Sequence, residues 1–434
     1  MKMRPKRVPL TILALVMACT TATAQEGKTL RLSLSEAEQF AVEHNKTMRN
    51  AELDVKKAEL EHWKTLSTML PQVKAGFDYQ NMLGYTMNMG GFSIPLNPNG
   101  TFSLTASMAL TGAQIVGTTL QRISQEMSDI TREQTEQTTR ANVKNVYVSI
   151  LVMEQTVELL DSSMSNLSRL AATAQNAVDA GASEQVDADK LQVQVATMQN
   201  SITSTCRQLE LLRNTLLLQL GADVADTVKL TTTLEQVLDL DAAARLLAEN
   251  FDIHRNYDYQ LLQQSEKLAK RNVTMAYMDF TPTLSAYYQY SSKTYFGAEE
   301  GMNMTPPNMV GASVSVPIFS SGTRTVNVKS AKISYQEAVN SKQQAEDGLK
   351  VQYNQLRYDL ASALESYDIQ RRTLELSRKV FGNVTEKYKY GRASSLEVTT
   401  ASSDIITAQS NYIQAVMSVV SAQIEIENLM NIGK

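Results

Sequence analysis

One pattern is written twice along these 434 residues, and no other feature restricts the fold as much. Pro71 and Pro282, 211 residues apart, each end a helical stretch and open an alternating one. Ala106-Ser107 and Ala312-Ser313 fall inside matching alternating segments at an offset of 206. Gly181 and Gly391, 210 apart, interrupt the long helical patterns, and Leu220-Gly221 and Ile432-Gly433 close them at 212. Asn45 and Asn250 are read as a fifth pair, at 205. An offset held within seven residues implies two copies of one unit. The copies are read as 25–221 and 245–434, with a connecting segment at 222–244.

Inside each copy the helical signal is a heptad. Val143, Val146, Ile150, Met153, Val157, Leu160, Met164 and Leu167 alternate steps of three and four. Val398, Ala401, Ile405, Ala408, Tyr412, Ala415, Val419, Ala422, Ile426 and Leu429 do the same in the second copy. Such a stripe keeps facing its partner only if the helices supercoil, left-handed. The descending helix, read from about Gln121 to Val178, spans roughly 85–90 Å at the α-helical rise. The shorter helices before Pro71 and after Gly181 are expected to stack end to end along it, as a pillar.

Between the helices the period changes to two. Val73, Ala75, Phe77 and Tyr79 alternate with Lys74, Gly76 and Asp78, and Phe102, Leu104, Ala106, Met108 and Leu110 with small or polar residues. The second copy repeats this at Leu284, Ala286, Tyr288 and Tyr290, and again at Val310, Ala312, Val314 and Val316. The spacing predicts strands at 72–80, 102–110, 283–291 and 310–318. Each has the length that crosses a bilayer as a tilted strand, with one face toward lipid and one toward water. A small soluble sheet capping a stalk is the competing reading. Bilayers forbid open strand edges, so four strands need other chains to close a barrel; three chains give twelve. Loops 82–100 and 293–308 would face outward.

The N-terminus carries Lys2, Arg4, Lys6 and Arg7, a short apolar run and Ala22-Thr23-Ala24, which reads as a secretory signal peptide over 1–24. Val16-Met17-Ala18-Cys19 also resembles a lipidation box, so cleavage after Ala24 and a lipid anchor at Cys19 both stand. With only two Cys and three His, a Cys/His metal cluster is excluded by counting, and the net charge of −4 leaves no basic footprint for nucleic acid. His44, His62 and His254 are scattered, and no nucleophile context appears. No enzyme, cofactor or metal site is expected.

The hairpin turns hold the remaining candidates. Gly391 suits a left-handed helix end, and Ser394-Ser395-Leu396-Glu397 matches a capping box. Gly181, followed by Glu184-Gln185-Val186-Asp187, has a weaker cap. The tips are read at 179–187 and 388–398. On their own these residues need do no more than make the turns; repeated around an axis, Asp187 and Glu397 would ring a pore mouth.

Over residues 30–434 the chain resembles the TolC-family outer-membrane efflux proteins. The doubled helix–strand–strand–helical hairpin unit carries the resemblance. So do two turns with an acid six residues after the Gly: Gly181 with Asp187-Ala188, and Gly391 with Glu397-Val398. Val316-Pro317-Ile318-Phe319 resembles the family's strand-to-helix junction, while Ala109-Leu110-Thr111-Gly112 departs from it. The resemblance implies a mainly α protein with membrane β: a homotrimeric twelve-stranded β-barrel on a long α-helical, coiled-coil barrel. It implies an outer-membrane exit channel with a periplasmic tunnel, docked to a periplasmic adaptor protein and an inner-membrane transporter. It places a constriction beside the second turn, where Tyr388 and Glu397 match the family pattern; Asp187, at the equivalent point of the first turn, and Arg392 complete the candidate gate. The family's gate Arg position is Ala393 here, with Arg392 one place early, and its second acid is Thr400. A pore-free coiled-coil stalk or an adaptor protein is the alternative.

Overall fold

Helix caps and proline positions divide the chain into long staves and short strands. The computed structural model describes residues 28–296 and 306–432; the leader at 1–24, Cys19 and loop residues 297–305 lie outside them. The first copy comprises β1 (Thr29–Leu32), α1 (Leu34–His44), α2 (Lys46–Ser67), β2 (Gln72–Gln80), β3 (Thr86–Met89), β4 (Phe92–Pro95), β5 (Asn99–Leu110), α3 (Gly112–Asp179) and α4 (Gln185–Leu220). Then come β6 (Thr227–Leu230), α5 (Leu234–Val237), α6 (Leu240–Leu246) and a 3-10 turn, Ile253–Arg255. The second copy continues with α7 (Tyr257–Met278), β7 (Thr283–Tyr295), β8 (Asn308–Ser315), α8 (Thr323–Lys389) and α9 (Ser395–Met430).

The principal sheet runs in the order β2-β5-β7-β8, all antiparallel. Its register gathers the apolar sets on one face. Ala106 lies between Val73 and Tyr288, and Tyr288 faces Val310. Leu104 lies between Ala75 and Tyr290, and Leu284 between Leu110 and Val314. The other face carries Lys74, Thr105 and Gln289 in one row and Asp78, Thr101 and Lys293 in another. A one-residue slip of any strand would reverse its faces, so the alternation and the register enforce each other.

The strand ends differ from the sequence pattern in both directions. β5 and β7 reach outward to Asn99 and Tyr295, and the segment 82–100 contains the β3–β4 hairpin. β8 stops at Ser315, short of the expected 318, because Pro317 has no N–H to give a ladder.

The helices repeat the sheet's order. α2 packs on α3, α3 on α7, and α7 on α8. Nearer the tips α4 packs on α3 and α9 on both α8 and α3. α3 begins at Gly112, not near 121, and its 68 residues span about 100 Å. Its first turn is Gly-rich and β-branched, poor helix material. A Thr111/Gln114 capping box and packing on α2 and α7 hold it in place.

α9 has two seams. The expected heptad, Val398, Ala401, Ile405, Ala408, Tyr412, Ala415, Val419, Ala422, Ile426 and Leu429, is buried except at Tyr412, which is half-buried. A second heptad, Ser402, Ile406, Gln409, Ile413, Val416 and Val420, meets α3 and α4. One stripe suggests one partner, whereas this helix packs on α8, α3, α4 and α6.

The end-to-end stacking of shorter helices occurs at two joints of one design. Asn45 caps α2, its Oδ1 accepting from Thr47 N–H at 2.7 Å, while its Nδ2 donates to the Gln219 carbonyl at 2.6 Å. Asn256 caps α7, accepting from Tyr259 N–H at 3.1 Å and donating to the Leu429 carbonyl at 3.0 Å. The structural equivalent of Asn45 is therefore Asn256, not Asn250. Likewise Gly221 answers to Asn431 rather than Gly433, since both end their helices in the left-handed region. Corrected in this way, both pairs fall at the 210–211 offset of Pro71/Pro282 and Gly181/Gly391.

At the waist, β1 pairs with β6 in parallel. The buried Tyr147 of α3 donates its hydroxyl to the Leu32 carbonyl at 2.9 Å and accepts from Thr232 N–H at 3.3 Å. The pair begins and leaves the first copy, so it clamps the connecting segment to the pillar.

Candidate functional site

The two hairpin turns close alike and cap differently. In both, a left-handed glycine ends the long helix, Gly181 at φ 70° and Gly391 at φ 66°. The residue after each glycine donates back across the turn, Ala182 N–H to Ala177 O and Arg392 N–H to Lys387 O, both at 2.8 Å. This closure serves the last carbonyls of each long helix. The outgoing helices then diverge. Ser394 forms a full capping box: the Glu397 carboxylate accepts from Ser394 N–H at 2.7 Å, and Ser394 Oγ accepts from Glu397 N–H at 3.2 Å. Glu184, in the same place on α4, makes no side-chain cap.

The capping box occupies the Glu397 carboxylate. The Ser394 N–H, then its hydroxyl, then the charge of Lys387 hold that carboxyl below its ordinary range. Asp187 is engaged elsewhere: it accepts from the hydroxyl of Ser395, across the gap from α4 to α9. Lys190 Nζ stands 3.7 Å from the same carboxylate. Ser395 is buried, at 4% exposure, while the Asp187 carboxylate is partly exposed, so this bond ties one hairpin to the other at a half-buried position.

Tyr388 packs against a buried cluster of Leu167, Ala188, Leu191 and Val398, drawn from both hairpins. Burial first, and the charge of Asp187 second, push its hydroxyl above the ordinary tyrosine value. No hydrogen bond joins that hydroxyl to Asp187 among the described residues; the two interact through charge alone. The structure brings Asp187, Ser395 and Tyr388 into one constellation. Glu397 is turned into its own cap. Arg392 is exposed and makes no side-chain bond or ion pair among the described residues. Ser395 was not singled out by the sequence, which offers no signal for a partner on the other hairpin.

Above this constellation, the α9 seam toward α3 and α4 is mixed near the tip, where Ile406 sits between two polar residues, and apolar toward the waist. Ser402 and Gln409 are buried there, and their Oγ and Oε1 find no partner among the described residues. Higher up the same seam, Val416, Val420 and Ile424 join the largest core.

The family model described as outer membrane efflux protein matches residues 37–222 and 253–431, most of each copy. Among solved structures, the fold is similar to that of CusC, studied for folding and transmembrane channel formation. That match has a TM-score of 0.74 at 16% identity, over 95% of this chain and 96% of the other. The Campylobacter jejuni CmeC outer membrane channel matches with a TM-score of 0.75 at 14% identity, over 92% and 85%. The open state of the Neisseria gonorrhoeae MtrE outer membrane channel matches with a TM-score of 0.72 at 17% identity, over 92% and 89%. No curated protein matches the chain by sequence.

Proposed function

The chain belongs to the outer membrane efflux protein family, and from that premise we propose that three copies close into the exit duct of a multi-component efflux or secretion system. Matching edges are the observation that carries the proposal. Both the sheet and the staves are open at the same two sides, β2 with α2 and β8 with α8. The unpaired helix edges expose apolar side chains, Leu60 at 68% and Trp63 at 61% on α2, Val351 at 69% and Tyr358 at 73% on α8. An open strand edge is untenable in lipid, and an apolar helix edge is unfavourable in water. One rotation that pairs β8 with β2 of the next copy also packs α8 against α2.

The apolar sheet face then meets lipid and the polar face lines the duct. The hairpin tips converge in the periplasm, where a periplasmic adaptor and an inner-membrane transporter would dock. The gate is the Asp187–Ser395–Tyr388 constellation, which holds the α3–α4 hairpin against the α8–α9 hairpin. Opening separates them along the seam. Its tip half is the easier to hydrate, because water partners for the buried oxygens of Ser402 and Gln409 offset part of the cost of exposing Ile406. Its waist half is apolar and stays shut. The signal peptide at 1–24, or a lipid anchor at Cys19, belongs to the same proposal.

The test is the mass of the detergent-solubilised protein, followed by its conductance in planar bilayers. Three chains and a discrete channel are expected. A stable monomer that still spans bilayers would refute the reading.

A further inference from the structure

We infer that the outer wall of the tunnel, just below the barrel, carries a binding site for the phosphodiester headgroup of an anionic glycerophospholipid, formed by Lys267, Lys270 and Arg271 of α7 with Arg122 of α3. The inference rests on the barrel reading above and adds a ligand to it. These four cations and Glu126 line a groove of about 590 Å³ between the two helices. Arg122 Nε lies 3.7 Å from Glu126, whereas Lys267, Lys270 and Arg271 have no ion-pair partner among the described residues.

Stereochemistry decides which wall the groove occupies. Phe296 N–H donates to the Pro98 carbonyl on the β5 side, while Ser291 N–H donates to Pro307 on the β8 side. Even-numbered residues of β7, the apolar set with Tyr288 and Tyr290, therefore direct their backbone groups toward β5. For L-residues, a side chain facing the observer on an ascending strand puts its N–H and C=O to the right. Seen from the lipid with the helices below, β5 lies to the right of β7 and β8 to its left. The staves follow the same order. Around α7, Tyr259 and Glu266 mark the side of α8, and Met275 and Met278 the side of α3. At about 100° per residue, Lys267, Lys270, Arg271 and Thr274 fall between these flanks on the lipid-side wall, not on the lumen.

Height agrees with wall. Arg122 lies ten residues below Gly112 and Lys270 eight below Met278, or about 12–15 Å beneath the strand ends. Ile115, exposed at 63%, shares Arg122's face one heptad higher and sits at the apolar boundary. Headgroups fill roughly the next 5–8 Å. Lysine and arginine stems are long enough to reach up into them. On the neighbouring staves Lys332 lies 5.5 Å from the Tyr277 ring and Arg324 6.0 Å from Phe280, cation–aromatic pairs suited to an interface.

The trimer would be assembled into nanodiscs of equal phosphatidylglycerol and phosphatidylcholine, washed, and its retained lipid quantified. Phosphatidylglycerol should be enriched several-fold, roughly fivefold or more, and added sodium chloride should erode the enrichment. The Lys267→Gln, Lys270→Gln, Arg271→Gln variant should lose it. Neutralising Lys46, Lys57 and Lys64, which by the same stereochemistry lie toward the lumen side of α2, should not. Equal retention of both lipids, enrichment indifferent to salt, or enrichment unchanged in the α7 variant overturns the inference. So does displacement by inorganic phosphate beyond that by chloride of equal ionic strength, which would mark a plain anion site. A chain that never enters the disc overturns the barrel reading and this inference with it; insertion with equal retention overturns this inference alone.

Discussion

At the joints, Asn45 and Asn256 each cap an ascending helix with one end of the amide and hold the end of an incoming helix with the other. At the tips the copies part. Ser394 caps α9 through a reciprocal box, whereas Glu184 caps nothing, and the acids six residues after each glycine have opposite employment. The joint is needed by any pillar of stacked helices, so both copies keep its chemistry. At the tips the copies divide the labour: one turn is self-sufficient, the other depends on its neighbour.

The sharpest test of joint equivalence is the residue that ends the incoming helix. A Cβ at Gly221 would lie 2.4 Å from the His44 carbonyl oxygen, at a left-handed φ of 74°. Gly221→Ala should cost ~3 kcal/mol or more in chemical unfolding. Asn431, at φ 51°, bonds its amide to the Arg255 carbonyl at 3.0 Å. Asn431→Gly should stay within about 1 kcal/mol, because glycine accepts the same backbone. Equal costs at both positions would break the equivalence.

Next in size are the capping asparagines. Asn45→Ala and Asn256→Ala each remove a cap and a buried amide–carbonyl bond, for about 2–3 kcal/mol apiece. Similar values sharpen the comparison, and a difference above ~1 kcal/mol would show that one joint carries more of the pillar.

The tips are expected to respond through the channel more than through stability. Ser395→Ala and Tyr388→Phe should raise resting conductance per assembled trimer, and Ser395→Ala combined with Asp187→Asn should add little to either change alone. Arg392→Ser, at a side chain without a partner among the described residues, should leave it unchanged. A leak from Arg392→Ser with none from Ser395→Ala would move the gate off the first turn's acid.

The smallest effect belongs to the caps. Ser394→Ala should loosen the start of α9 by about 1 kcal/mol, and Glu184→Ser should firm α4 by a comparable amount, both read by amide exchange at the tips. The Glu397 carboxyl is depressed in the folded state, so its contribution is present above its ordinary value of 4.5 and fades as pH falls through the lower folded value. Acid should therefore fray α9 before α4, which has no such cap to lose.

The sequence displayed the elements whose partners are periodic. The period of two assigned the faces of four strands, and the register kept that assignment because a slip would bury the wrong set. The heptad of α9 toward α8 was equally plain. Features that depend on a particular distant partner were not legible. The parallel pairing of Thr29–Leu32 with Thr227–Leu230 involves four residues on each side, too few for a pattern. Asn250 resembled Asn45 in its setting, and only the bond to Leu429 identifies Asn256 as the true counterpart. The second α9 seam was masked because Ser402 and Gln409 read as solvated. Of the tip residues, Asp187 and Tyr388 were visible through the turn, but Glu397 answers to its own helix and Ser395 had no signal.

The sheet order has a consequence for how the chain assembles. β2 with β5 and β7 with β8 are neighbours along the chain, but β5 meets β7 through partners such as Leu110 and Leu284, 174 residues apart. Bringing such distant segments together from a free coil costs ~4–5 kcal/mol in loop-closure entropy. The α3–α4 hairpin shortens that search, since it carries the chain about 100 Å out and returns it to Asn45 before α7 begins. The central strand pairing therefore waits on the hairpin, and a defect at the Gly181 turn should delay barrel closure at the opposite end of the molecule. Time courses of detergent-resistant trimer formation for a Gly181→Val variant would register that delay as a slower rate with an unchanged final product.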